Sequence, residues 1–222
     1  MSRLSFRNLQ KGFTIIEMIT VVAIITIMTG VVLANFPDFR ERASLELVAQ
    51  EISLVIRQAQ AFGSQTRSIG SGTFPSFGVY FDLNPNDSDY YNSPNKLILY
   101  GDKNGDQHWT ATNIDGCGTS DVECREVYTL SGGLEFVAVQ GCTDDACTAP
   151  VVLSQATTPA GSAVNILFRR PDPEAQFTKQ SGAVWECSPS VACPIVRIVL
   201  KSTRNGAIKN VYVWNTGHIY VK

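Results

Sequence analysis

The sequence predicts an α+β protein: a long N-terminal α-helical spine, half of it apolar and half amphipathic, packed on a C-terminal, mostly antiparallel β-sheet domain. Three observations predict it. Residues 13–36 (FTIIEMITVVAIITIMTGVVLANF) form an almost unbroken apolar run whose one ionisable side chain is Glu17. The following stretch repeats apolar residues at alternating spacings of three and four, the period of one helix face. Beyond Gly72 the pattern changes to short β-branched and aromatic runs separated by Gly, Asn, Asp and Pro, which reads as strands and turns.

The apolar run is long enough, as a helix, to cross a bilayer core of about 30 Å. Arg3, Arg7 and Lys11 precede it without an acidic residue, so the positive-inside bias holds the leader in the cytoplasm and sends the C-terminal part outward. A secretory signal would have a shorter apolar run and a small-residue cleavage site, whereas this run ends in NFPDFRER. Pro37 removes a helix hydrogen bond and disfavours helix at Phe36, which predicts a kink or melted turn near residues 35–37.

After Pro37, Leu45, Val48, Ile52, Val55, Ala59 and Phe62 define the predicted apolar face. Arg42, Glu46, Gln50, Arg57 and Gln60 lie opposite as a solvated face, and Gly63 is the predicted stop. The predicted strands are residues 77–83, 96–100, 126–130, 134–139, 164–168, 195–201, 208–214 and 218–221. Asn205-Gly206 is a two-residue hairpin signal, and Asn215-Thr216-Gly217 offers a second turn. The domain boundaries follow: 1–12 leader, 13–36 membrane-spanning helix, 37–66 amphipathic helix, and 73–222 β-rich domain.

A net charge of −2 provides no global basic field for nucleic acid. With two histidines, His108 and His218, and no nucleophile elbow, phosphate loop or convincing carboxylate pair, the chain reads as non-enzymatic. The six cysteines fall as Cys117/Cys124, Cys142/Cys147 and Cys187/Cys193, all after the apolar helix. Three local disulfides are the simplest of the pairings they allow, and a metal site is the second reading. Asp102, Asn104 and Asp106 place oxygen side chains at the first, third and fifth positions of a calcium-type loop. Gln107 then stands where a glycine is wanted and Asn113 where a bidentate glutamate is wanted. The loop therefore reads first as a solvated turn and second as a calcium site needing further ligands, such as Asp115 or Asp121. No cofactor is required. Arg169, Arg170, Lys179, Arg197, Lys201, Arg204 and Lys209 could form a basic face for DNA phosphates. Asp172 and Glu174 interleave with them, which favours ordinary surface charge.

The junction Lys11-Gly12-Phe13-Thr14-Ile15-Ile16-Glu17 resembles the class III signal of type IV prepilins. The resemblance implies that a membrane-embedded prepilin peptidase cuts after Gly12, that Phe13 becomes the N-methylated terminus, and that Glu17 neutralises the terminal amine of a neighbouring subunit during assembly. Physical chemistry agrees that Glu17 needs such a cation. A carboxylate within a bilayer costs roughly 2.5–3.5 kcal/mol and is a functional residue by default. Where pilins often carry a proline, this sequence has Ala34.

A looser likeness covers most of the chain. AQEISLVIRQAQAFG, FGVYFDL, LILYGDKNGD, FRRPDPEA and TGHIYV resemble the minor pseudopilin H and minor pilin FimT/FimU group. A lollipop-shaped minor pilin or pseudopilin of a type IV pilus or type II secretion pseudopilus is what this implies. Its partners would be other pilin subunits, the peptidase/methyltransferase, an inner-membrane assembly platform and, before assembly, membrane lipid. It would start as a single-pass protein of the bacterial inner membrane with its C-terminal domain outside the cytoplasm. The alternative is a DNA- or ligand-binding pilin of a competence or adhesion filament.

Overall fold

The computed structural model describes residues 12–65, 76–83, 94–110, 117, 123–155, 163–171, 174–179, 181–188 and 191–222. Leader residues Arg3, Arg7 and Lys11, the suggested calcium ligands Asp115 and Asp121, and Asn113 and Asp172 lie outside them. The chain divides into two compact units, Met1–Arg40 and Glu41–Lys222.

Helix α1 (Ile15–Ser64) is continuous and contains Pro37. It corrects the expectation of a melted turn at residues 35–37. One lost backbone bond costs less than the several that an interrupted helix would lose on either side of the proline. Gly63 is part of the helix rather than its stop, and the reason is a close approach to the sheet. A Cβ there would lie 2.5 Å from the carbonyl oxygen of Phe168.

In the Glu41–Lys222 unit the helix buries Leu45, Ala49, Ile52, Val55, Ile56 and Ala59, while Val48 and Phe62 pack at the margin of that core. The buried stripe is thus wider than predicted and turned toward Ala49 and Ile56. Two residues assigned to the solvated face, exposed Arg57 and half-buried Gln60, also bond to the domain. Arg57 Nη2 donates to the carbonyl of Ile219 at 3.0 Å, and Gln60 Nε2 to that of Gly217 at 3.0 Å.

The β domain contains two five-stranded sheets where the sequence suggested one. Its strands are β1 (Ser76–Phe81), β2 (Lys96–Asp102), β3 (Cys124–Thr129), β4 (Leu134–Cys142), β5 (Val151–Gln155), β6 (Val164–Phe168), β7 (Ala175–Lys179), β8 (Glu186–Ser188), β9 (Val191–Ala192), β10 (Ile195–Ser202), β11 (Ile208–Trp214) and β12 (Ile219–Val221). The first sheet runs β3-β2-β1-β6-β7, the second β12-β11-β10-β4-β5, and β8 and β9 form a small separate ribbon. Every described pairing is antiparallel.

Burial patterns explain the division. Strands β1 and β6 are buried on both faces. Val79, Phe81, Ile166 and Phe168 join the helix-centred core, whereas Tyr80 and Leu167 join a second cluster around Trp109. Strand β10 alternates, sending Val196, Ile198 and Leu200 into the main core. Both sheets therefore close on one core that also takes in the lower half of α1.

Candidate functional site

The N-terminal candidate begins with a local capping decision. Gly12, Phe13 and Thr14 precede the first helical turn. Thr14 ends them as the N-cap, its Oγ1 accepting from the backbone N–H of Glu17 at 3.3 Å, and its carbonyl accepting from Met18 N at 3.2 Å. Thr14-x-x-Glu17 has the spacing of a capping box, but the carboxylate takes no part in the bond. The junction between Gly12 and Phe13 is consequently outside the helix.

Downstream, the helix satisfies its own polar side chains. Thr20 donates to the carbonyl of Glu17, Thr26 to Val22, Thr29 to Ile25 and Asn35 to Val31, at distances of 2.7–3.0 Å. Such back-bonding is how hydroxyl and amide groups are tolerated in an apolar medium. Glu17 is the exception: among the described residues its carboxylate has neither an ion pair nor a hydrogen bond. The side chains around it are large, apolar and exposed, with Phe13 at 78% and Ile15 at 82%. An 18-residue stretch of α1 has a mean hydropathy of 2.4, and α1 is the one described helix long and apolar enough to cross a membrane. Glu17 is thus an acid without a partner among the described residues on a helix whose other polar side chains bond to its own backbone.

The cysteines pair locally as Cys117–Cys124, Cys142–Cys147 and Cys187–Cys193, with Cα–Cα separations of 4.7, 4.9 and 4.8 Å. No described cysteine is free.

The acidic loop after β2 turns its oxygens inward. Asp102 is 1% exposed; its carboxylate accepts from the N–H groups of Gly105 and Gln107 and from the Ser76 hydroxyl. Asn104 and Asp106 bond to each other, and Asp106 also accepts from the Thr110 hydroxyl. Gln107 has φ 66°, a left-handed conformation at the position where a calcium loop carries glycine. Glu123, not singled out by the sequence, accepts from the N–H groups of Lys103 and Thr110 and fastens the loop to β3. Burial, followed by the charges of Asp106 and Asp102, pushes its carboxyl pKa up against those two bonds. Among the described residues, no group of three or more His, Cys, Asp or Glu side chains is arranged to hold a metal ion.

The basic residues are dispersed and largely engaged. Arg204 pairs with Glu41 at 3.1 Å, and Lys209 pairs with Glu46. Arg197 donates to Gln140, while Lys179 stands over the Trp185 ring.

Residues 7–33 match the family described as the prokaryotic N-terminal methylation motif. The match spans the junction, the Thr14 cap and Glu17, and supports a type IV pilin-like protein. No curated protein and no solved structure matches the chain.

Proposed function

We propose that the chain is a minor pilin or pseudopilin, a structural subunit of a type IV pilus or a type II secretion pseudopilus, of the pseudopilin H and FimT/FimU kind. The single observation that carries this reading is the methylation motif across residues 7–33, with Gly12-Phe13 just ahead of a capped apolar helix whose carboxylate is unpaired. Prepilin peptidase cuts between Gly12 and Phe13 and methylates the amine of Phe13. Glu17 of the incoming subunit then meets the amine of Phe13 in its neighbour. Before assembly, the apolar half of α1 anchors the chain in the inner membrane, with the β domain outside the cytoplasm and its disulfides in an oxidising compartment.

The chemistry behind the pairing is simple. Cleavage creates a cation close in sequence to a carboxylate that costs roughly 2.5–3.5 kcal/mol to hold in lipid, so joining the two relieves both. The deciding experiment is mass spectrometry of the mature N-terminus from cells with and without prepilin peptidase. N-methyl-Phe13 in the first and uncut chain in the second are expected. Any other terminus refutes the processing.

A further inference from the structure

The outer face of the second sheet carries a cluster separate from the main core. Cys142, Cys147, Ile195 and Tyr212 are buried together there, and Trp214 and Tyr220 pack against them. The pattern is one of alternation. Tyr212 and Trp214 on β11, and His218 and Tyr220 at β12, point to the same face, with Tyr212 directly across from Tyr220. Tyr212 and Tyr220 are stacked with ring centroids 4.9 Å apart and planes 5° from parallel, and the His218 ring lies 5.5 Å from Tyr220.

This face opens as a cleft of about 610 Å³ lined by Asp145, Ala146, Trp214, His218, Tyr220 and Lys222. Its volume is in the range of ligand sites. The wall that carries Asp145 is held in advance. The Cys142–Cys147 disulfide closes that loop, and Asp144 accepts from the backbone N–H groups of Cys147 and Thr148 and from the Thr148 hydroxyl. Tyr220 Oη donates to Asp145 Oδ1 at 3.1 Å, which ties the loop to the aromatic wall. Trp214 Nε1 is shut from solvent and lies beside the Tyr220 hydroxyl, so the indole is fixed against the rest of the aromatic wall.

We propose that this cleft binds a neutral saccharide, one sugar face stacking on the Trp214–His218–Tyr220 wall and its hydroxyls bonding to Asp145, His218 and Lys222. The chemistry selects that class. A sugar ring has an apolar C–H face and a rim of groups that both donate and accept, matching aromatic rings bordered by a carboxylate, an imidazole and an ammonium. Asp145 repels a phosphate backbone, Lys222 repels a cationic ligand, and both charges penalise a purely apolar one. Every group involved lies between Asp145 and Lys222, outside the N-terminal segment on which the filament reading rests.

The test uses the full chain in phosphatidylcholine nanodiscs, with chitohexaose and cellohexaose as probes and decathymidylate and tetramethylammonium as contrasts, read by saturation-transfer NMR. Saturable binding of at least one hexasaccharide is expected, weakened about tenfold or more by Trp214→Ala, the loss of one well-packed aromatic contact. His218→Ala and Asp145→Asn, at exposed positions where folding is not at risk, are each expected to weaken it about threefold or more. No saturable response to either sugar overturns the proposal. So does sugar binding indifferent to His218→Ala and Asp145→Asn, or stronger binding of the oligonucleotide or the ammonium ion.

Discussion

The Thr14 hydroxyl accepts its hydrogen bond from the backbone N–H of Glu17, at 3.3 Å, so the cap depends on the main chain of Glu17 and leaves its carboxylate free. Helix initiation and the proposed ion pairing of Glu17 are therefore separable. Thr14→Ala should loosen the first turn by about 0.5–2 kcal/mol, seen as faster amide exchange at Glu17 and Met18 of the full chain in nanodiscs, whereas Thr14→Ser should not. Glu17→Ala should leave that exchange and membrane insertion unchanged while abolishing filament incorporation. Equal loss of amide protection in Thr14→Ala and Glu17→Ala would show that the two roles are one.

Gly63→Ala sets two effects against each other. Alanine is the better helix former by about 1 kcal/mol. A Cβ at this position, however, would stand 2.5 Å from Phe168 O and 2.8 Å from Phe168 Cβ, both anchored in β6 between two neighbouring strands. Sterics should win, with a net loss of about 1–3 kcal/mol and a fall in Tm of about 2–10 °C. Gly30→Ala is the control, because nothing lies within 4 Å of a Cβ there. A thermal melt in which Gly63→Ala is as stable as Gly30→Ala would contradict this packing.

The long helix, the local cysteine pairs and strands such as β6 and β11 were legible because their signals are local: periodicity, short loops, and runs of β-branched residues between turn formers. Strands β5 and β7 were not. VVLSQ and AQFTK are short, carry polar residues, and are edge strands that gain order from β4 and β6 respectively. The helix face was off by part of a turn because Ala49 and Ile56 are buried in a core to which both sheets contribute, and no local pattern announces that enclosure. At the N-terminus, the methylation motif that matches residues 7–33 was readable from residue order alone, and Thr14-x-x-Glu17 could have given the cap. In the aromatic cleft, the alternation of Tyr212, Trp214, His218 and Tyr220 across Asn215-Thr216-Gly217 was visible. The disulfide-closed loop that brings Asp145 over it is a tertiary contact, which alternation cannot reveal.

Gly141 reports on the Cys187–Cys193 bridge. A Cβ on Gly141 would lie 2.5 Å from both sulfurs, so Gly141→Ala should cost about 1–3 kcal/mol in the oxidised protein. In a Cys187→Ala/Cys193→Ala background the sulfurs are gone and most of that cost should disappear. The double-mutant cycle, read from thermal unfolding, should give a coupling of about 1 kcal/mol or more. Additivity would mean that the bridge does not rest on β4.

Glu123 gives the domain a pH dependence whose sign can be worked out. Its folded-state pKa lies above the usual 4.5, because burial and then the nearby Asp106 and Asp102 charges outweigh the N–H bonds from Thr110 and Lys103. In the window between those two values the folded chain holds a proton that the unfolded chain has released. Stability is therefore favoured at the acid side and falls as pH rises through the folded pKa. Glu123→Gln removes the titration, but its amide NH₂ turns a donor toward one of the two backbone N–H groups. That adds a cost of about 1–3 kcal/mol that does not vary with pH. The readout is consequently the slope: the Tm of the natural chain minus that of Glu123→Gln should shrink as pH rises from about 4.5 toward neutrality. A difference that stays flat, or grows with pH, would show that the charged form of Glu123 is no burden to the loop it holds.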